Sequence, residues 1–580
     1  MKHSAMKIRL SILHAAVLCA MLSALAWAGC NPMPRAGLMP QTPPASKDVI
    51  TFDLQGVGGQ ENLLALVSLQ GLVNRVKPQI FTYSASYSEW PLRIYRQLGY
   101  VTSEEKCDDV TELLDRFRGY YKGVVVYDPD KRYTVNLASN IAGVEDRIII
   151  APSLLDGFRE KVDAAIDVRD LRDLDFSSQE EAFDWYRVNI FPQQDHRMLG
   201  VAKDVYMYDV FRDYLIACKS PTFWLPGEGD DDYSEQAIEN VLWLYRNTPP
   251  NIPVFGFWPG LDKGRDVGYN EFFGTKLSSQ YGKFHIVSTW VGNYSYHSGV
   301  QAGNRPYRQD AARAKKFRTY DPSKKYVALV MVESGDAPGY FQFDGFFPRQ
   351  WEDPERGQVP TSYVIGMSLA TLMPGVMRYM YDTATENDYF FSPGAGYCYP
   401  FLGLCDSVPD KELRLKEYFE MSARNMKALD MDMLQIYTFP ERIRWSGADS
   451  AMIRRYVAPL RQVRSIISGM HLTGYTPSEG SGFLGDSGLT VHHVMTHWSW
   501  DDWDLFRTGT AGDETAARFL EQQIREGCEG TGFVTAMFYS WHYGPRRLNI
   551  AKRELEKEGY EFVTMDEFDY LFRESKKRDK

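Results

Sequence analysis

The sequence predicts an α/β protein in which N-terminal α/β subdomains precede a C-terminal (β/α) barrel of seven or eight units that need not be regular. Three observations predict this class. A strand–helix–strand pattern opens the folded part of the chain near Val49, and short apolar runs then recur between helical patterns. After residue 320, seven strand–helix alternations follow in about 250 residues, the length and rhythm of a (β/α) barrel. An open doubly wound sheet is the alternative, but that fold seldom needs so many units.

The two N-terminal subdomains are expected at residues 48–184 and 185–320. In the first, the strand VITF is followed by a helix whose leucines and valines recur at helical spacing from Gln60 to Arg75. GVVVY and RIIIA are further apolar strands of this subdomain. In the second, a helix is predicted at 235–245, before the strands VFGFW and FHIVS.

The barrel is expected at residues 321–580. Its first strand, YVALVMV at 326–332, is continuously apolar, as a parallel strand buried on both faces should be. A helix is predicted at 367–381, directly before the second strand. The remaining strands are predicted at 389–391, 433–437, 465–470, 489–495, 532–539 and 561–564.

The amino terminus has the pattern of a bacterial export signal. Residues 1–29 combine basic residues with an apolar stretch and end in two alternative processing patterns. Ala26-Trp27-Ala28 suits ordinary signal peptidase, whereas the residues before Cys30 look like the end of a lipobox, which would make Cys30 the lipid attachment residue. The proline-containing segment 30–47 then reads as a flexible tether. We expect an exported protein that is lipid-anchored in the bacterial envelope or cell surface, and otherwise periplasmic or secreted.

Charge and cysteine content exclude other classes. The chain has 65 basic and 76 acidic residues, a net charge of -11, which argues against a nucleic-acid partner because such proteins need a basic face. Beyond the leader and Cys30, five scattered cysteines remain without a CxxC pair, so buried free thiols are expected. The sequence predicts no cofactor and no metal, and contact with a membrane only through the lipid anchor.

Chemistry in a (β/α) barrel gathers where strands end and loops begin. The residues after the predicted strands are rich in carboxylates, aromatic rings and histidines. Paired carboxylates are what cleavage of a glycosidic bond requires, and aromatic faces pack on sugar rings. The catalytic candidates are Asp336, Glu333, Glu479 and Asp486. The substrate-binding candidates are Tyr397, Tyr399, Trp498, Trp500, Trp541, His542 and His497.

A metal pair is not expected from the histidines. His493 and His497 have the i, i+4 spacing of two helical ligands, but residues 489–495 are predicted to form a strand. Four strand residues span roughly 13 Å, which is too far for one ion.

The most distinctive segment is GAGYCYP at residues 394–400. Its glycines permit positive φ and close backbone approach, and its two tyrosines lie on one face if the segment is extended. The tyrosines could line a pocket or pack the barrel mouth. The segment resembles the GxGYxYP family of exported bacterial proteins at every fixed position. Other matching stretches are SLQGLVNR at 68–75, residues 136–143, NYS at 293–295 and Arg356-Gly357 before Pro360.

The resemblance covers about residues 48–570 and implies glycoside hydrolase activity, with N-terminal α/β subdomains ahead of a barrel-like domain. One string departs from the family pattern. Where many relatives have Ser-Asp-Gly-Asp-Asn, this chain has Glu333-Ser334-Gly335-Asp336-Ala337. The leading interpretation is a carbohydrate-active hydrolase acting on an oligo- or polysaccharide. The alternatives are a surface glycan-binding protein without catalysis and a metal-dependent carbohydrate esterase or deacetylase.

Overall fold

The computed structural model describes residues 39–578 with several internal gaps. The residues outside the description are 1–38, 85–87, 203–209, 224–234, 257–270, 289–290, 332–337, 339–349, 438–445, 470–479, 496–511, 539–542 and 579–580. Its ladders are parallel, apart from one short antiparallel pairing and one antiparallel bridge. The predicted α/β class is confirmed.

The first two sheets have three strands each and occupy the first predicted subdomain. One has the order β2-β1-β3 and the other β5-β4-β6. Their strands are β1 Asp48–Asp53, β2 Ile80–Tyr83, β3 Ser103–Cys107, β4 Gly123–Val126, β5 Arg147–Ile150 and β6 Asp167–Asp170. The helices are α1 Gln60–Val76, α2 Glu89–Gln97, α3 Val110–Arg116, α4 Thr134–Glu145, α5 Pro152–Lys161 and α6 Gln179–Asn189.

A third sheet with the order β10-β9-β7-β8 follows, so strands are added on both sides of β7 and β9 as in doubly wound folds. Its strands are β7 Leu199–Val201, β8 Thr222–Phe223, β9 Ile252–Phe255 and β10 Lys283–Ile286. The helices of this region are α7 Arg212–Ala217, α8 Glu235–Arg246, α9 Glu271–Gln280, α10 Tyr294–His297 and α11 Asp310–Ala314.

Helix α1 packs against elements of the two following sheets. Its residues from Leu63 to Asn74 are all buried, because α7 and β5 cover it. Gly71 lies at the contact with α7, where an added Cβ would be 2.5 Å from the Asp213 carbonyl oxygen. Only a residue without a side chain allows the two helices to approach this closely.

The C-terminal domain is a ring of seven parallel strands. Five of the seven neighbouring pairs form ladders, and two single bridges, Ser392–Leu434 and Val494–Thr535, complete the ring. In ring order the strands are β11 Lys325–Met331, β12 Thr361–Val364, β13 Asp388–Phe391, β14 Met433–Ile436, β15 Ser465–Ser468, β17 Thr490–His493 and β18 Phe533–Phe538, which returns to β11.

Two further strands complete this domain. β16 Ser481–Phe483 runs antiparallel to β17, and β19 Tyr560–Val563 pairs with the first half of β11. The domain's helices are α12 Leu369–Leu372, α13 Pro374–Thr383, α14 Lys411–Ala428, α15 Gly447–Tyr456, α16 Asp513–Gly527, α17 Pro545–Glu556 and α18 Met565–Arg578.

The sequence prediction was incomplete at β12 and β16. Strand β12 is polar in its first two positions, but Ser362 accepts a hydrogen bond from the Met565 amide at the start of α18, so its burial is compensated. The helix predicted at 367–381 is divided into α12 and α13, with Pro374 at the first position of the second helix.

A polar network closes the amino-terminal end of the ring. The carboxylate of Asp569 on α18 accepts hydrogen bonds from His492 at 3.1 Å and from Arg573 at 2.9 Å, and it pairs with Arg464 at 3.3 Å. Burial acts to raise the pKa of Asp569, but the hydrogen bond and charge of His492 and the two arginines outweigh burial and lower that pKa. This end of the barrel is therefore stabilised by an ionised carboxylate.

The five cysteines of the described chain are free thiols, as the sequence predicted. Within the same residues, no helix combines the length and the apolar character that a membrane span requires.

Candidate active site

The carboxyl ends of the seven ring strands define one rim of the barrel. The loops after β11, β14, β15, β17 and β18 begin at this rim and fall in the gaps of the description. Eight predicted site residues lie outside the described residues for this reason: Asp336, Glu333, Glu479, His497, Trp498, Trp500, Trp541 and His542. Cys30 and the predicted leader lie outside them as well.

Asp486 lies at the opposite end of the barrel. The chain leaves the rim after β15 and returns through β16, which runs antiparallel to β17 with Phe483 opposite Thr490. Asp486 follows β16 in a 3-10 turn just before β17, and its side chain is exposed. The expected position of Asp486 at the strand-end rim was therefore wrong, because the sequence pattern did not reveal the antiparallel strand.

His493 ends strand β17, which confirms that it does not lie on a helix. Among the described residues, no group of three histidine, cysteine or acidic side chains is arranged to hold a metal ion.

The motif segment, residues 394–400, follows β13 at the rim and connects the barrel to the third sheet. The amide of Tyr397 donates to the carbonyl of His285 at 2.9 Å, and the His285 amide donates to the Tyr397 carbonyl at 2.8 Å. The Tyr399 amide donates to the Ser279 hydroxyl on α9 at 2.9 Å. The motif is therefore a backbone connection between two domains.

Both motif glycines are required by close contacts. Gly394 has φ of 85°, in the left-handed region, and an added Cβ would be 2.9 Å from the Tyr418 hydroxyl. At Gly396 an added Cβ would be 2.6 Å from the Phe284 ring and 2.7 Å from the His285 carbonyl oxygen. Any side chain at Gly396 would therefore separate the barrel from β10.

The two motif tyrosines are buried at the barrel mouth. Tyr397 is 3% exposed and Tyr399 is fully buried, and their hydroxyl oxygens lie 2.6 Å apart. The Tyr397 ring packs edge-on against Tyr437 at the end of β14. Their surroundings match the packing alternative, and any contact with substrate would require displacement of these neighbours.

Titratable groups beside the motif are held neutral by burial. Burial raises the pKa of the Cys398 thiol to about 12, although the hydrogen bond with Tyr418 opposes the shift. Burial also raises the pKa of Cys405 to about 12 and lowers the pKa of His285 to about 3. A neutral, buried thiol is a poor nucleophile, so neither cysteine is suited to catalysis.

A small cavity lies next to the motif between Pro393, Tyr418 and Leu434. Its volume is ≈ 10 Å³ and its walls are mostly apolar. That space holds one water molecule at most, so it does not provide a sugar site.

A second set of polar contacts joins the N-terminal domains and was not recognised as such from the sequence. On α1, the Gln70 amide donates to the Asn293 side chain at 2.7 Å, and Asn74 donates to the Ser295 hydroxyl at 2.9 Å. Arg75 pairs with Asp146 at 2.6 Å and donates to carbonyl groups at the ends of α4 and α7. The polar residues within an otherwise apolar helix were the available indication.

Ser295 also holds a buried carboxylate. Its amide and hydroxyl donate to Asp213 at 3.0 and 2.6 Å. Burial raises the pKa of Asp213 to about 6, against the effect of these hydrogen bonds. This carboxylate lies at the junction of α1, α7 and α10, so its role is in domain packing.

Four family models match the chain in sequence. Residues 323–573 match the model described as GxGYxYP putative glycoside hydrolase C-terminal domain. Residues 49–119, 121–194 and 200–299 match the GxGYxYP first, second and third domains. No curated protein matches the chain.

Solved structures give a similar result for the fold. A putative hydrolase from Bacteroides thetaiotaomicron VPI-5482 superposes with a TM-score of 0.73 at 17% identity, over 93% of this chain and 97% of that one. Peptidoglycan deacetylase PdaC from Bacillus subtilis covers 45% of this chain and 96% of its own, at 12% identity, with a TM-score of 0.23. The first likeness shows a shared fold, and the second is too weak to support an argument.

Proposed function

Because the chain belongs to the GxGYxYP family, as its sequence motifs predicted, we propose that it is a glycoside hydrolase that acts on an oligo- or polysaccharide at the barrel rim. The observation that carries the proposal is the ring of parallel strands. Since the carboxyl ends of parallel strands meet at one rim, the segments that follow β11 and β15, which contain Glu333 and Glu479 in sequence, start from the same side of the barrel.

In the proposed reaction, Asp336 and one of the two glutamates form the carboxylate pair. One carboxylic acid protonates the oxygen of the leaving sugar while the other attacks the anomeric carbon or removes a proton from water. Tryptophans 498, 500 and 541 supply apolar faces for the sugar rings. His497 and His542 are further proposed substrate contacts, whereas the motif tyrosines act by packing the barrel mouth.

The third domain is proposed to border the substrate cleft. Its β10 and α9 are attached to the rim through the motif segment, beside the ends of β13 and β14. A long polysaccharide leaving the barrel on this side would run along the third domain.

We also propose that the protein is exported and that Cys30 carries a lipid, because residues 1–29 have the pattern of an export signal that ends before this cysteine.

The test compares four carboxylate variants of the full chain on a panel of neutral and acidic polysaccharides. Hydrolysis is followed by the release of reducing ends. We expect Asp336→Asn and one of the two variants Glu333→Gln and Glu479→Gln to lower kcat by about 10²–10⁴-fold, the range for loss of a general acid or base. The matched control Asp486→Asn should retain wild-type activity, because this exposed carboxylate lies at the opposite end of the barrel.

Unchanged activity in Asp336→Asn would remove this residue from the mechanism, and equal losses in the control would refute the assignment of the rim. Glycan binding without hydrolysis by the wild-type chain would favour the binding-protein alternative. That alternative is also motivated by Ser334 and Ala337, where this chain departs from the family pattern that the resemblance implies.

A further inference from the structure

A cavity outside the barrel lies between the domains of residues 121–194 and 200–299. Helices α4 and α6 form one wall, and β8 and α8 form the other. Its volume is ≈ 50 Å³, or ≈ 490 Å³ when the space of its open mouth is included. A buried water molecule needs about 10–15 Å³ of enclosed volume, so the enclosed part of this cavity has room for several polar atoms.

Two buried amide side chains in this cavity have an atom without a hydrogen-bond partner among the described residues. Asn136 is 9% exposed, and its nitrogen donates to the Ala202 carbonyl at 3.1 Å, which leaves its oxygen as the free acceptor. Asn240 is 7% exposed, and its oxygen accepts from Gln236 at 3.4 Å, which leaves its nitrogen as the free donor.

A neighbouring asparagine in the same cavity has hydrogen-bond partners for both of its side-chain polar atoms. Asn140 lines the same cavity, and its side chain both accepts from the Thr222 amide and donates to the Thr222 carbonyl at 2.8 Å. Its oxygen also accepts from Gln194 at 2.8 Å. A buried polar atom without a partner costs about 1–3 kcal/mol, so the free atoms of Asn136 and Asn240 call for a ligand or ordered water.

The lining restricts the chemistry of that ligand. Its 13 residues include four amides and four aromatic rings but no aspartate, glutamate, lysine, arginine or histidine. A charged ligand would lose its hydration without gaining an opposite charge, which is unfavourable. A ligand with both hydroxyl groups and an apolar face matches amides beside the rings of Tyr133 and Phe183.

We propose that this cavity is a binding site for one neutral monosaccharide unit, separate from the barrel. One sugar hydroxyl donates to the Asn136 oxygen and another accepts from the Asn240 nitrogen, while the ring packs against the aromatic side chains. The ligand class follows from the cavity lining, so this site does not depend on the glycoside hydrolase activity proposed for the barrel.

The experiment measures binding of single sugars to the full chain by isothermal titration calorimetry. Glucose, galactose, mannose and N-acetylglucosamine are the neutral probes, and galacturonate and glucosamine are their charged counterparts. Asn240→Leu removes the free donor at similar side-chain size, and Ala182→Leu adds volume to a buried lining position. Asn189→Leu, an exposed position on the same helix as Ala182, is the matched control.

We expect at least one neutral sugar to bind, a loss of at least tenfold in affinity in both cavity variants, and unchanged affinity in the control. Thermal unfolding of each variant identifies any loss of fold. If Ala182→Leu does not fold, the affinity of Asn240→Leu decides the question. The absence of neutral-sugar binding, equal binding of a charged counterpart, or wild-type affinity in Asn240→Leu would each overturn the proposal. Hydrolysis is measured in parallel, so an inactive barrel and an empty cavity give different results.

Discussion

Substitution of Gly396 by alanine should loosen the connection between the barrel and the third domain. The new Cβ would lie 2.6 Å from the Phe284 ring and 2.7 Å from the His285 carbonyl oxygen, distances that real Cβ atoms do not adopt. Phe284 is 1% exposed and cannot turn away freely. The same His285 oxygen accepts the hydrogen bond from Tyr397, so relief of the clash would lengthen that bond.

The expected cost follows from two contributions. Overpacking in a filled interior costs about 1–3 kcal/mol, and each of the two hydrogen bonds between His285 and Tyr397 contributes about 1 kcal/mol. A total near 3 kcal/mol corresponds to opening of this connection about 100-fold more often. Activity on polysaccharides should fall together with this change if the third domain borders the substrate cleft.

Hydrogen exchange provides the assay, because the amides of His285 and Tyr397 report directly on the connection. In Gly396→Ala we expect both amides to exchange about 100-fold faster and the urea midpoint to decrease. Gly544→Ala is the matched control, since nothing lies within 4 Å of its added Cβ. Exchange at the wild-type rate in Gly396→Ala, with an unchanged midpoint, would refute the interpretation of the motif as a domain connection.

The remaining predictions concern the other junctions and the leader. Gly71→Ala should destabilise the protein by about 1–3 kcal/mol, because the added Cβ would lie 2.5 Å from the Asp213 carbonyl oxygen. Gly157→Ala on the open face of α5 should instead stabilise the protein by up to about 1 kcal/mol. Urea unfolding measures both changes. The pKa of Asp213 is raised to about 6, so ionisation of this carboxyl group lowers the stability of the wild type as the pH rises from about 4 to 6. The stability of Asp213→Asn relative to wild type should therefore be on the order of 2–3 kcal/mol greater at pH 8 than at pH 4. A stability difference that does not depend on pH would contradict this. The pKa of Asp569 is lowered, so its contribution is present above about pH 4 and is lost in acid; Asp569→Asn should cost about 3–5 kcal/mol at pH 7 and less at pH 2 by the same measurement. Cys30→Ser should move the protein from the membrane fraction to the soluble fraction of the producing bacterium, and retention in the membrane fraction would disprove lipid attachment at this residue.

The sequence predicted the parallel strands where burial on both faces leaves a continuous apolar run. Strand β11 is the clearest case, since its residues after Lys325 are all buried. Strand β12 could not be recognised in this way, because it begins with the polar residues Thr361 and Ser362. The Thr361 hydroxyl donates to the nearby Val359 carbonyl, whereas the Ser362 hydroxyl accepts from the Met565 amide, a tertiary contact that local patterning does not contain. The position of Asp486 was missed for a related reason: the reversal at β16 takes only three residues.

The site was less predictable than the fold. Whether Tyr397 and Tyr399 face a pocket or a neighbouring domain depends on where the third domain docks, and no local pattern specifies docking. The cavity between the second and third domains has the same origin. Asn136 and Asn240 are about a hundred positions apart in the chain, and only the packing of two domains brings them to one space.

The positions that carry the family resemblance are therefore best explained by architecture. Gln70 and Asn74 bind the Asn-Tyr-Ser segment of the third domain, and Gly396 brings the barrel rim against β10 of that domain. The contacts of Gln70 and Asn74 orient the third domain relative to the first, and the contact at Gly396 orients it relative to the barrel. A sequence motif of this kind specifies which domains meet and in what arrangement, whereas the carboxylates that would act on a sugar follow separate strands. It follows that Asp336→Asn and Gly396→Ala should separate the two roles: the first should lower kcat by about 10²–10⁴-fold with the domain connection intact, and the second should weaken the connection with the carboxylates present.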